Sequence, residues 1–520
     1  MTRTAIITAL TFVLCGTATA AQPPAEWIRF YNGPADQNDW GRDIDLASDG
    51  SVTVVGGTLP VNLQEDMAVV RYDANGNQVW AATYNGPSNG VDRATGVASD
   101  DAGNAFMIGN LWNNVALNQD YVIIKYLADG TQAWVKQFNG PGSRDDVAWD
   151  VRADGAGGAF VAGGAFLAPG TPFLAKHFHV ARYDADGNIA WQVNYDLPGR
   201  NGATATKLII APDGNLVVSG WIRTAATGVQ FDMLTMKVSP AGQVIWTRQW
   251  SPPVGEVDDI RMVLKIDDAG NVYATTTVDT EDIYKGLDSA VVKYSADGTF
   301  QWTTGISLDG HDGFSDLVAD EAGNIYLTGG WNNGSEFSDG FTVSFDSSGV
   351  QRWIRFYDDT PQFDFQEGQA IMRGPDGLIY VGLDWQHPDA AGYDYTIEVL
   401  DTDGNPLDFW RYDTGGPSDT FFEFGGWRMD PAGNIYIGAY AVGPTGNSDI
   451  TTVKIATQPT AIAGDMDGDG DVDFDDRDLF VAVLVDLIGE PGQLAAADLN
   501  GDQQADARDL PMFITALLGG

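Results

Sequence analysis

Tryptophan recurs along this chain at Trp27, Trp80, Trp134, Trp191, Trp246, Trp302, Trp353 and Trp410, with gaps of 51 to 57 residues. A period of that length marks repeated supersecondary units, none of which can bury its apolar face alone. Each unit contains an apolar stretch, a turn of the Asp-x-x-Gly-Asn type and a second apolar stretch often ending in glycine, as in Val97–Gly109, Leu317–Gly329 and Met429–Gly438. An alternating stretch follows that opens on aspartate and closes on a second Asp/Gly turn, as in Asp66–Gly76 and Asp288–Gly298. Period-two alternation bounded by Asp, Asn and Gly reads as strands joined by tight hairpins. Each unit therefore supplies four antiparallel strands, a to d, with the tryptophan on d.

No helical periodicity interrupts the pattern between Trp27 and Ile455, so the sheets must bury their faces against one another. Radial packing as a β-propeller does this. Counting d strands by tryptophan gives eight, and so do the a-b-c sets that begin near Asp43, Thr95, Val147, Thr206, Met262, Ser315, Ala370 and Trp427. The pattern starts on a lone d strand (Trp27–Tyr31) and stops after a c strand (Asp449–Ile455), so the N-terminal strand is expected to complete the last blade. The expected fold is all-β, an eight-bladed propeller over 27–455, with seven blades the rival count. A linker at 456–463 leads to a module at 464–520.

That module carries a different chemistry. Asp465–Asp476 reads DMDGDGDVDFDD, with Asp465, Asp467, Asp469, Asp473 and Asp476 at loop positions 1, 3, 5, 9 and 12, and Gly470 at position 6. Calcium takes six to eight hard oxygen ligands, which alternate side chains of a tight loop supply, and Asp471 offers its backbone carbonyl at position 7. A second copy, DLNGDQQADARD, places Asp498, Asn500, Asp502, Asp506 and Asp509 in the same slots, with Gln504 giving the carbonyl. Gln503 stands where glycine is expected, at a position that commonly needs a positive φ, so the second site is expected to be the weaker. A short helix should follow each loop, with Phe480 matching Phe513, Val481 matching Ile514 and Leu484 matching Leu517.

The paired loops over Gly464–Leu518 resemble a type I dockerin, which implies a calcium-dependent fold, two loop-helix units and a cohesin-like partner on a scaffold or cell surface. The slots that read cohesin in that family, loop positions 10 and 11, hold Phe474 and Asp475 in one copy and Ala507 and Arg508 in the other, instead of the Ser-Thr pair. The repeats over 27–455 resemble those of bacterial outer-surface propellers of the SBBP type, which implies the fold and is silent on activity. Gly76–Trp80 and Gly187–Trp191 also echo the Gly-x-x-x-Trp end of the docking motif of quinoprotein dehydrogenases. Those enzymes commonly rely on a vicinal disulfide, which a chain whose lone cysteine is Cys15 cannot form.

Residues 1–20 have the layout of a secretory signal peptide: Arg3, an apolar run from Ala5 to Leu14, and small residues at Ala18-Thr19-Ala20. Cys15 falls inside it, so the exported protein, secreted or associated with the cell surface, is expected to fold without disulfides. No later stretch is apolar for long enough to span a bilayer. A formal charge of -44 repels phosphate backbones and anionic lipids, which argues against nucleic-acid and membrane-surface partners and favours cations.

Aspartate opens strand c in seven units (Asp66, Asp120, Asp232, Asp288, Asp339, Asp394, Asp449), with His177 in the third. Five residues on, Arg71, Lys125, Arg182, Lys237, Lys293 and Lys454 recur. A side chain repeated in nearly every blade reads as structural, because one active site needs one copy. The a-b and c-d turns are short, whereas the b-c and d-a connections on the opposite face are long and varied, so any ligand should meet that face, near Trp112, Trp331 and Trp385. His177-x-His179 is the nearest approach to a transition-metal pair, with no third ligand in view. The sequence thus points to an exported scaffold or recognition protein that binds an extracellular protein or polysaccharide. The alternative is a carbohydrate-active enzyme, which requires two carboxylates at one place in the ring.

Overall fold

The computed structural model describes residues 25–61, 63–114, 117–142, 144–166, 176–196, 202–224, 231–252, 256–257, 262–279, 287–308, 311–332, 339–357, 366–386, 393–412, 419–420 and 426–457, together with 477, 480, 481, 483, 497, 509, 510 and 513. The chain divides into two compact units, one over Pro24–Gln458 and one joining Met1–Pro23 to Pro459–Gly520. Residues 1–20, where a signal segment is expected, and residues 458–463 of the expected linker lie outside the described residues.

The first unit is an eight-bladed β-propeller. Blade one runs Asp39–Leu46, Val52–Thr58, Asp66–Tyr72 and Gln78–Tyr84 as strands a to d, and blades two to seven repeat this meander to Pro406–Tyr412. Blade eight takes its b and c strands from Ile435–Val442 and Ser448–Ile455, and its d strand from Ala25–Tyr31. Arg29 stands opposite Thr452 and Tyr31 opposite Ile450, so the ends of the repeat region are zipped antiparallel. Each strand a packs against the strand a of both neighbouring blades, all the way round, which closes an eight-membered ring and excludes seven.

The hairpins follow from local chemistry. In the turn after blade one's strand c, Gly76 N donates to Asp73 O and Asp73 N to Asn77 O. The Asp73 carboxylate collects the N–H groups of Asn75 and Asn77 and the Asn77 amide at 2.8–2.9 Å. Those bonds favour the anion and hold Asp73 below the usual carboxylate range. Gly76 sits at φ 75°, which glycine adopts without a Cβ clash. The same aspartate-to-asparagine clasp closes the turns at Asp100, Asp184, Asp267, Asp320, Asp401 and Asp430.

The core lies between blades. Each apolar cluster joins two adjacent sheets: Val69, Met107 and Ile124 join blades one and two, and Ile397, Trp410 and Ile437 join seven and eight. Burying such a side chain contributes roughly 1.5–3 kcal/mol. Around the axis a carboxylate on strand a accepts a backbone N–H of the next strand a: Asp43 from Val97 at 3.0 Å, Asp150 from Leu208 at 2.8 Å and Asp316 from Ile371 at 3.2 Å.

At the rim seven of the eight repeat tryptophans reach the next blade's c-d turn. Trp27 Nε1 donates to Ala74 O, Trp80 to Ala128 O, Trp134 to Ala185 O, Trp191 to Pro240 O, Trp246 to Ala296 O, Trp302 to Ser347 O and Trp353 to Thr402 O. The left-handed glycine of that turn lies flat on the ring, so that a Cβ at Gly130 would come within 2.6 Å of Trp80. The basic residue of strand c stands opposite the tryptophan, as Arg71 does to Trp80. Arg71 donates to Gly103 O and Lys125 to Gly157 O, each on the next blade's a-b turn. These cations are structural, as their repetition implies.

Trp410 lies on the d strand of blade seven, as the count of eight has it, but in another register. It pairs with Ile397, whereas the position that holds tryptophan elsewhere, opposite the sixth residue of strand c, holds Asp408. Trp410 Nε1 donates to Asp408 at 2.6 Å on its own strand. The physical reason is the closure: blade eight receives its d strand from the N-terminus and has no c-d turn for a seventh-blade tryptophan to reach.

Gly130 and Gly214 both occupy left-handed backbone, at φ 83° and 76°, but only Gly130 faces a ring, with nothing within 4 Å of a Cβ at Gly214. Gly214→Ala should cost about 1 kcal/mol from backbone strain alone, and Gly130→Ala about 1–3 kcal/mol more from overpacking. Denaturant unfolding of the two variants checks the difference, and equal losses would show that the ring contact contributes nothing.

Candidate functional site

The ends of strands b, the starts of strands a and c, and the long loops lie on one face. In blade two these elements form a shallow cleft lined by Pro87, Ser88, Trp112, Asn113 and Gln137. The d-a loop is folded by its own sequence: Gly86 N donates to Asp92 at 2.5 Å, Asn89 takes a positive φ of 45°, and the Asn114 amide donates to Ser88 O at 2.9 Å. A Cβ at Gly90 would lie 2.3 Å from Trp112 O, so glycine is what lets the loop close over strand b. Trp112, half-buried, stands in the wall beside amide groups. Trp331 packs against Phe356 with ring centroids 5.7 Å apart, and the Trp385 side chain lies outside the described residues.

The same face carries a ring of carboxylates. Asp39, Asp92, Asp146 and Asp312 open strand a and clasp the preceding loop through the N–H of Gly33, Gly86, Gly140 and Leu308. The sequence reading missed this set; its signal is Asn-Gly-Pro, in which the glycine precedes the aspartate by six residues, at Gly33, Gly86 and Gly140. The strand c aspartates are partnered unequally. Asp120 accepts Gln137 and Asn139 at 2.8 and 3.1 Å, and Asp232 accepts Gln249 and Ser251 at 2.5 Å. Asp66 and Asp449 each keep a buried oxygen without a hydrogen bond. The Asp394 side chain lies outside the described residues.

One acidic pair breaks the repeat. Glu367 and Asp384 stand opposite each other on strands a and b of blade seven, both 6% exposed. The corresponding pairs are Trp40 and Gly57 in blade one, Arg93 and Asn110 in blade two, and Val147 and Gly164 in blade three. Burial, then the Glu367 charge, pushes Asp384 up to about 8, and its Oδ1 has no hydrogen-bond partner. Asp384 therefore holds its proton at neutral pH, next to a second carboxyl group. The sequence could show this only after blade-by-blade alignment, because the residues are ordinary and only their register is unusual.

The histidine pair does not form a metal site. His179 is fully buried, with Nε2 3.0 Å from the Tyr121 hydroxyl and Nδ1 2.6 Å from Asn194 Oδ1, while Phe138 covers its ring at 4.9 Å. Burial pushes its pKa down to about 4. Among the described residues no three His, Cys, Asp or Glu side chains converge to hold a metal, and no helix is long and apolar enough to cross a membrane.

Of the expected calcium ligands, Asp509 is described: it is buried, and its carbonyl accepts Phe513 N at 3.0 Å. Asp465, Asp467, Asp469, Asp471, Asp473, Asp476, Asp498, Asn500, Asp502, Gln504 and Asp506 lie outside the described residues. Phe480 and Phe513, both buried and in helical conformation, stack with centroids 3.9 Å apart and planes at 5°. No complete helix is among the described elements.

Residues 47–78 match the model of a domain of unknown function, the DUF5122 β-propeller. This segment runs from the a-b turn of blade one to the first residue of its strand d. Among solved structures, polysaccharide lyase Uly1 is similar at 11% identity over 72% of this chain and 91% of its own, with a TM-score of 0.42. Drosophila Plexin A in complex with Semaphorin 1b is similar at 10% identity over 86% and 90%, at 0.40. Penicillium chrysogenum α-L-arabinanase is similar at 11% identity over 62% and 92%, at 0.36. No curated protein matches the chain.

Asp384 gives the face a measurable pH signature. Its folded pKa of about 8 lies above the ordinary carboxylate value, so the folded state binds the extra proton and stability falls as pH rises from about 4 to about 8. Asp384→Asn should flatten that slope and raise the melting temperature more at pH 8 than at pH 4.5. An equal change at both pH values would show that the group is not held protonated.

Proposed function

We propose that this is an exported recognition protein, whose propeller binds an extracellular polysaccharide or protein on its variable-loop face and whose dockerin-like tail binds calcium and docks or anchors it. The observation that carries the first half is the blade-two cleft, where the half-buried Trp112 lies beside Asn113, Gln137 and Ser88. An aromatic face stacks on the apolar side of a sugar ring, and amides exchange hydrogen bonds with hydroxyls, so this lining suits a neutral saccharide. The charge of -44 argues against an anionic one. Support for the tail is the duplicated loop spacing at Asp465–Asp476 and Asp498–Asp509, with the matched Phe480 and Phe513 rings in contact. Phe474, Asp475, Ala507 and Arg508 depart from the Ser-Thr pair, so the partner for the tail is a cohesin-like or other cell-surface protein of different specificity.

The second reading, a carbohydrate-active enzyme, is favoured by one observation. Glu367 and Asp384 place a proton-holding carboxyl group beside a second carboxyl group in a single blade, as acid-base cleavage of a glycosidic bond requires.

A glycan array, followed by titration calorimetry of the best glycan, tests the first reading. Trp112→Ala should weaken binding by about tenfold, roughly 1.4 kcal/mol. Unchanged affinity in that variant would overturn the assignment of the cleft. Release of reducing sugar by the parent chain, abolished by Asp384→Asn, would replace recognition with catalysis.

A further inference from the structure

Strand a is the innermost strand of every blade, and in six blades it carries the same irregularity. Its pairing with strand b skips one residue at Arg42, Thr95, Trp149, Thr206, Ser315 and Gln369, so each of these is the extra residue of a β-bulge. A bulge re-aims one side chain out of the ladder. Five of these residues are polar, and the sixth is Trp149, in blade three's strand a, Val147–Ala153. Neighbouring blades cover both faces of that strand, yet Trp149 is 40% exposed, so its open side faces the axis. The backbone is held on either side of it. Ala148 N donates to Asn110 Oδ1 at 3.1 Å, Ala148 O accepts the Thr95 hydroxyl at 2.9 Å, and Asp150 Oδ2 accepts Leu208 N at 2.8 Å. Among the described residues the indole itself has no hydrogen bond and no ring contact.

Beside Trp149 the axial charges depart from their own rule. Arg428, Lys265 and Arg152 share one register, each opposite the second residue of its strand b, which is Tyr436, Tyr273 or Phe160. Arg428 of blade eight meets Asp43 of blade one at 3.2 Å, and Lys265 of blade five meets Asp316 of blade six at 2.9 Å. Asp43 and Asp316 each directly follow a bulge. In blade four the residue in that place is Lys207, on strand a Ala203–Ile210. Arg152 of blade three therefore finds a second cation across the seam and turns to Asp150 on its own strand, at 2.6 Å. Lys207, which is exposed, is left with no ion pair and no hydrogen bond on its ammonium among the described residues. The Leu208 N to Asp150 bond lays the two strands side by side. Trp149 and Lys207 each precede a partner in that bond by one residue, so they sit at one level on neighbouring strands.

We propose that Trp149 and Lys207 form an axial binding site for a sugar ring that carries a carboxylate, the chemistry of a hexuronate residue. The indole offers a flat apolar surface to the C–H face of the ring, and the ammonium supplies a charge-assisted hydrogen bond to the carboxylate. Because the backbone around Trp149 is already pinned, little ordering is left for the ligand to impose. The net charge of -44 does not forbid an anion at this place. In the registers of Asp43 and Arg152, the carboxylates of Asp43, Asp45, Asp150 and Asp316 are matched by the cations Arg152, Lys207, Lys265 and Arg428. Charges farther off than a Debye length, about 8 Å at physiological salt, are largely screened. Three of those four cations are taken up in ion pairs, which leaves the charge of Lys207 available. The site is separate from the blade-two cleft, whose lining holds no cation, and does not rest on the assignment of that cleft.

The test uses the full chain, with sodium glucuronate and glucose as probes, titrated by saturation-transfer NMR. Glucuronate should bind about tenfold more tightly than glucose, and the preference should shrink as salt is raised from about 50 to about 500 mM. Lys207→Gln should abolish the preference, and Trp149→Ala should weaken both sugars. Lys207→Asp gives Arg152 the partner that Arg428 and Lys265 already have. That variant should therefore keep its melting temperature while losing glucuronate, which separates binding from folding. Trp112→Ala should leave glucuronate binding unchanged. Glucuronate bound no more tightly than glucose, or an affinity unaltered by Lys207→Gln or by Trp149→Ala, would overturn the proposal. Loss of glucuronate in Trp112→Ala alone would place the anion in the blade-two cleft and overturn it as well.

Discussion

The propeller depends on a tryptophan lying on a glycine. The d-strand indole covers the left-handed glycine of the next blade's turn and donates to a carbonyl of that same turn, so apolar contact and hydrogen bond come from one side chain. The glycine is doubly constrained: positive φ closes the hairpin, and the missing Cβ admits the ring. Because the tryptophan belongs to one blade and the glycine to the next, the interaction fixes how sheets are placed relative to each other. The apolar clusters and the axial aspartates then have defined partners.

Seen this way, the acidic character of the chain has several separate origins. Turn aspartates such as Asp73 are ionised and occupied with backbone N–H groups. Axial aspartates such as Asp150 bridge strands. Carboxylates at the start of strand a, such as Asp92, hold the preceding loop through a glycine N–H, and Glu367 with Asp384 is an acidic pair at a position where blades one, two and three carry no such combination. Composition alone averages these roles into a single net charge.

Much of the fold was legible because its determinants are local. Asp-x-x-Gly-Asn encodes a turn through bonds made within five residues, and strand counting from the lone first d strand to the unfinished last blade predicted the closure by Ala25–Tyr31. Spacing found the strand at Trp410 but not its register, since a period of 51 to 57 residues tolerates a two-residue shift that register does not. The face was legible as a location and Trp112 as one of its aromatics. The Glu367 and Asp384 pair was not, because both residues are ordinary in sequence and only their register across two strands is unusual. His179 shows the converse: an alternating pair suggests a ligand set until Tyr121 and Asn194 are seen to occupy both ring nitrogens.

Zipping Ala25–Tyr31 onto Ser448–Ile455 also sets an order of events during folding. The strand synthesised first can pair only after the last blade exists, so it bears its unpaired edge and its Trp27 through the making of every intervening repeat. Contacts of such sequence separation are slow to form because the loop entropy must be overcome before the contact stabilises anything. Blades one to seven can assemble progressively, each indole settling on the turn that follows it. The seam between blades seven and eight has no such indole, so the ring's last joint is held by Ile397, Trp410 and Ile437 packing instead. Until closure occurs the growing arc has two open sheet edges through which it can associate with another copy.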